Sequence, residues 1–125
     1  MKSWIWVGLV IATVVGVGEA GAAEQARAIK PHEWVARPSA EEAARYYPDR
    51  AQRMEISGRV VLDCRLTMEG KLEDCQVISE FPADYQFAER AIKLTQFMQL
   101  VPPSKKDLRK GMTRRILPTV FSVPR

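Results

Sequence analysis

The residues with the widest chemical repertoire in this 125-residue chain are its two cysteines, Cys64 and Cys75, held within VVLDCRLTMEGKLEDCQV at residues 60–77. A facing pair of thiols can close a disulfide, bind a metal, cycle in redox chemistry or simply fill a core. Ten residues separate them, no CxxC is present, and the single histidine, His32, lies far upstream. Metal and redox roles therefore lack the expected spacing, and a disulfide and a pair of buried thiols remain open. The carboxylates Glu41, Glu42, Asp63, Glu73 and Asp74 fall on expected solvent faces, and no glycine-rich phosphate loop is present. We therefore expect no catalytic residue, no metal site and no cofactor. The other chemical feature is KKDLRKGMTRR at residues 105–115, with six Lys or Arg and one Asp, in a chain of net charge +4. Without interleaved aromatics it is no platform for single-stranded nucleic acid, so no nucleic-acid partner is expected. It reads as a solvated loop that leaves contact with lipid headgroups open.

Positioning the cysteines requires a hairpin. From Arg59 the pattern alternates, with Val60, Leu62, Cys64 and Leu66 on one face and Val61, Asp63, Arg65 and Thr67 on the other, which is a half-buried strand. LEDCQVIS forms a second strand, but Leu72 has the opposite parity to Cys75 and Val77. A bulge at Glu73 and Asp74 would bring all three inward. A three-residue loop of Met68, Glu69 and left-handed Gly70 then pairs Leu66 with Leu72, Leu62 with Val77 and Cys64 with Cys75. Cross-strand Cβ atoms stand about 4.5–5.5 Å apart and a relaxed disulfide wants about 3.5–4.5 Å, so a small twist would close the gap.

The length suits one domain with one core. Residues 1–23 have one early lysine, an apolar run at residues 4–17, and then Ala20, Gly21, Ala22 and Ala23. This is the layout of a secretory signal peptide, or of a short membrane anchor if it is retained. Export would permit a lasting disulfide. Residues 24–38 carry two prolines and no sustained apolar period, which predicts an extended, loosely docked arm. Residues 39–125 hold the domain. Ser39 and Glu42 fit a capping box for a helix starting at Ala40. Pro48 forces a break after Tyr47 and opens a second helical turn. Phe87, Ala91, Leu94 and Met98 mark one stripe of a helix with Asp84 as its N-cap and Pro102 and Pro103 as its stop. MTRRILPTVFSV alternates as a third strand, and Pro118 places it at a sheet edge or turns that position outward. The expected fold class is α+β: a three-stranded antiparallel sheet covered by the longer helix, in the order α-β-β-α-β. An open final edge could accept a strand from another chain.

In this order the motifs resemble the C-terminal domain of TonB, the energy transducer of Gram-negative envelopes. The resemblance rests on YPDRAQ at residues 47–52, ISGRVVLDCRLTMEGKLEDCQVISEFPA at residues 56–83, the segment ending in LVPP, and ILPTVF at residues 116–121. The cysteine-bearing hairpin is similar to that of a subgroup with one cysteine on each strand. The resemblance implies a TonB C-terminal-like fold and a periplasmic, non-enzymatic binding module. Such a module takes an extended segment of an outer-membrane transporter, or another envelope peptide, onto its last strand. The implied peptide-binding residues are Ile116, Leu117, Thr119, Val120 and Phe121, with Tyr47 and Pro48 beside them. It also implies a link to TonB-dependent transport across the outer membrane. Self-pairing of the same edge into a homodimer is the alternative, and an uncleaved N-terminus would add membrane contact from an inner-membrane anchor. An arm of about 20 residues reaches at most ~70 Å, short of the long proline-rich spacer of a full transducer.

Overall fold

The structure, a computed structural model, describes residues 24–123. The signal-peptide or anchor segment expected at residues 1–23 lies outside the described residues, as do Pro124 and Arg125. No helix among the described residues is long and apolar enough to cross a membrane.

The chain runs β1 (Ala26–Ala28), a 3-10 turn (Pro31–Glu33), β2 (Trp34–Ala36), α1 (Ala40–Arg45), α2 (Asp49–Arg53), β3 (Gly58–Leu66) and β4 (Leu72–Phe81). It continues with α3 (Phe87–Leu94), a 3-10 turn (Thr95–Phe97), β5 (Gln99–Leu100), α4 (Lys105–Lys110) and β6 (Arg114–Phe121). The expected α+β order is present, but the main sheet has four strands, in the order β1-β6-β3-β4. Strand β1 is the unexpected member. It pairs parallel to β6, with Ala26, Arg27 and Ala28 beside Arg114, Arg115 and Ile116. The arm is thus built into the fold, and it continues into β2, which pairs with β5. Three residues of strand are too few to leave a period in the sequence, which is why this pairing was illegible there.

The hairpin closes in the expected register, but Val77, expected inward, is 46% exposed. Leu66 pairs with Leu72 and Leu62 with Val77, around a loop whose Gly70 has φ +82°. The bulge lies one residue later than expected: Asp63 pairs with Gln76 and Arg65 with Glu73, so Asp74 and Cys75 together oppose Cys64. Asp74 takes the positive φ this needs. A second irregularity around Ile78 had no sequence signature. Cys64 and Cys75 form a disulfide with Cα atoms 4.0 Å apart, so the thiol and metal alternatives fall away.

Val60, Leu62, Cys64 and Leu66 are buried, as are Leu117 and Phe121 beside them on β6. Helix α3 covers this face with Phe87, Ala91 and Leu94. The helix is shorter than expected and yields to the 3-10 turn before Met98, which still fills the core. Its N-cap is Gln86, not Asp84, and Glu80 on β4 accepts the Ala88 N–H at 3.0 Å. A cap from tertiary structure replaces the local one. Gly58 starts β3 because a Cβ there would stand 2.4 Å from the Phe87 ring. The Ser39–Glu42 capping box of α1 forms as expected. The basic segment, read as a loop, contains α4, whose own box is Ser104 and Asp107.

Candidate functional site

Which rim of β6 is occupied follows from strand parity. The Leu66 N–H donates to the Thr113 carbonyl at 2.8 Å, so Thr113, Arg115, Leu117, Thr119 and Phe121 spend their backbone groups on β3. The even positions turn the other way, and Arg114 N–H accordingly donates to the Gln25 carbonyl at 3.1 Å. Beside Arg114 and Ile116 that outer rim is filled by β1. Beside residues 117–121 no strand among the described residues is paired to it. The expected free edge is therefore half free. Pro118 faces outward, where its missing N–H breaks no bond to β3. The vacant rim offers the Pro118 carbonyl and both backbone groups of Val120.

Next to this rim lies a recess of about 500 Å³. Leu117, Thr119, Phe121, Leu94, Met98 and the Tyr47 ring contribute to its lining, and Val120 and Pro118 stand at the strand side. Across from them stand Ala40, Ala43 and Ala44 of α1, with Trp34, Arg37 and Pro38 of the arm. The alanine spacing puts three small side chains on one side of the helix, which keeps the gap open. The Arg37 guanidinium stacks on the Trp34 ring at 4.3 Å and is the one charged side chain in this lining. The volume falls in the range of ordinary ligand clefts. Thr119 Oγ1 is buried here without a hydrogen-bond partner.

Of the site residues read from the sequence, Tyr47, Leu117, Thr119, Val120 and Phe121 come together around this recess. Pro48 and Ile116 do not line it: Pro48 is fully buried, and Ile116 sits beside Ala28. Tyr47 is a wall more than a free contact. Its hydroxyl donates to the Ile56 carbonyl at 2.6 Å, its ring meets those of Phe87 and Phe121 edge-on, and burial raises its pKa. Trp34, Arg37, Pro38, the α1 alanines, Leu94 and Met98 were missed as lining. The 40, 43, 44 spacing was a legible helix face, but which strand it would meet was not.

The occupied half of the rim is clamped by charge. Arg27 on β1 donates to Glu33 Oε1 at 2.8 Å and to Asp107 of α4 at 3.1 Å. Arg115, only 1% exposed, donates to Asp107 at 3.0 Å and to the Met112 carbonyl at 2.8 Å. The Arg27 hydrogen bonds hold the Glu33 carboxyl at about 2 against opposing burial. Burial pushes the Asp107 carboxyl up, but Arg27, the Ser104 backbone and Arg115 bring it down to about 2. Arg115 itself is lowered by burial and by the neighbouring Arg27 charge. On the opposite sheet face Arg114 bonds Asp63 at 2.7 Å and the Asp74 carbonyl at 2.8 Å, while Arg65 reaches Glu73 and Asp74. These acids are thus engaged as ion-pair partners.

Comparison with known proteins supplies the remaining context. Residues 43–123 match the family described as Gram-negative bacterial TonB protein C-terminal. The solution NMR structure of the Pseudomonas aeruginosa TonB CTD is 21% identical, covers 63% of this chain and 78% of its own, and superposes with a TM-score of 0.47. The TonB2 protein of Vibrio anguillarum is 18% identical, with 92% and 97% covered and a TM-score of 0.46. No curated protein matches the chain.

Proposed function

Because the chain belongs to the Gram-negative TonB C-terminal family, a family of envelope binding modules in TonB-dependent transport, we propose that it docks an extended peptide on the vacant rim of β6. The peptide belongs to an outer-membrane transporter or another envelope protein, and the encounter takes place in the periplasm. One observation carries this reading: the unpaired backbone of residues 117–121 borders the same recess that Tyr47, Leu94, Met98 and the α1 alanines enclose. Main-chain bonds to Pro118 and Val120 give affinity, and alternate side chains of the peptide drop into the apolar recess. Tyr47 acts as a wall of the groove, held by Ile56, Phe87 and Phe121, and the buried Pro48 sets the chain break that follows it. Ile116 marks the end of the vacant rim. No catalysis is assigned to the site. Titration of the isotope-labelled protein with a six-residue valine- and threonine-rich peptide should move amides of residues 117–123 first. Movement confined to other residues would remove strand addition at this edge.

A further inference from the structure

We infer that β1 is a length gauge: it restricts the docking site to segments of about six residues and stops longer strands from extending along β6. The inference rests on the strand-addition reading and adds a limit on the partner that this reading alone does not contain. The limit comes from what already occupies the rim. Arg114, Arg115 and Ile116 lie beside Ala26, Arg27 and Ala28, so a guest strand meets a resident one as soon as it passes Leu117. The free stretch, residues 117–121 of β6 with Ser122 just after it, is about 20 Å long at the usual rise of a strand.

The resident strand is tied at both ends, far beyond its three-residue ladder. At its start the Gln25 N–H donates to the Gly111 carbonyl at 2.7 Å, and Thr113 donates to Glu24 at 2.7 Å. In its middle Arg27 reaches across to Asp107 of α4, which also holds the buried Arg115. At its end Ile29 packs against the core. A guest that displaced β1 would replace its ladder bonds one for one, but would leave Asp107 and Glu33 without Arg27. Exchange therefore brings no gain in hydrogen bonds and loses the charge cluster.

Three synthetic peptides test the gauge by calorimetry and NMR: the six-residue peptide above and two nine-residue versions, extended at the N-terminus or at the C-terminus. In the native protein all three should bind within about twofold of one another, and the amides of Gln25 and Arg27 should not move. Arg27→Pro removes both the charge and the backbone N–H between β1 and β6. One nine-residue peptide should then bind about tenfold tighter, while the six-residue peptide is unchanged. The gauge is overturned if a nine-residue peptide already binds tenfold tighter to the native protein while the Gln25 and Arg27 amides lose their dispersion. A folded Arg27→Pro protein with no gain for either long peptide overturns it as well. The native-protein comparison decides the matter even where the variant does not fold. Failure of every peptide to bind removes the docking reading and the gauge together; binding without a length limit removes only the gauge.

Discussion

Replacing Val120 by proline separates backbone recognition from side-chain packing at the groove. Val120 is 65% exposed, so the core loses almost nothing with its side chain. Its N–H points away from β3, toward the vacant rim, so the ladder that holds β6 in the sheet is kept. Thr119 is already extended, as the residue before a proline prefers. The domain should therefore lose less than about 1 kcal/mol, as edge prolines generally allow. A guest strand, in contrast, loses the one N–H that residues 117–121 turn outward, because Pro118 has none. One hydrogen bond is worth about 0.5–1.5 kcal/mol, or roughly a 2- to 12-fold loss of affinity. The proline ring also fills the place of the incoming carbonyl, so the loss should lie at the upper end of that range. Calorimetric titration with the six-residue peptide measures it, with Val120→Thr as the control that keeps the N–H. Trp34 lines the groove and gives an independent fluorescence signal. Equal affinities for native protein and a folded Val120→Pro variant would refute main-chain recognition at this rim.

Replacing Cys64 and Cys75 together by alanine should cost at most about 3 kcal/mol, since the disulfide closes a loop with a separation of only 11 residues; thermal unfolding should fall by roughly 5–15 °C, and an unchanged midpoint would remove the disulfide from the stability of the domain. Gly70→Ala should destabilise by more than about 2 kcal/mol in denaturant titrations, because Gly70 has φ +82° and a Cβ would stand 2.0 Å from the Leu100 carbonyl oxygen. Acid should weaken the arm through Glu33 and Asp107, whose carboxyls at about 2 lie below the ordinary 4.5 and 3.8 of these side chains. Groups lowered in the folded state contribute fully above pH ~4.5, and that contribution is lost as pH falls toward ~2. Arg27→Gln should flatten the fall in stability between about pH 4.5 and pH 2, and an identical slope would show that the cluster does not link folding to protonation.

The sequence by itself determined the parts of this protein that repeat or punctuate. Alternation over eight or nine residues marked β3 and β6, Gly70 placed the hairpin turn, and Ser39 with Glu42 started α1, because each signal is local and survives any tertiary context. The same alternation made Cys64 and Cys75 neighbours across the hairpin, which the disulfide realises. Tertiary structure decided what had no period. Three residues of β1 are held by an arginine whose acids lie six and 80 positions away, so no window of sequence contains the interaction. Glu80 caps α3 from another element, and the alanines of α1 acquire a role only because the chain folds them opposite β6. The vacant rim belongs to this second class: the pattern of residues 114–121 makes a strand with two rims, and only the docking of the arm divides the outer one into a filled half and an open half.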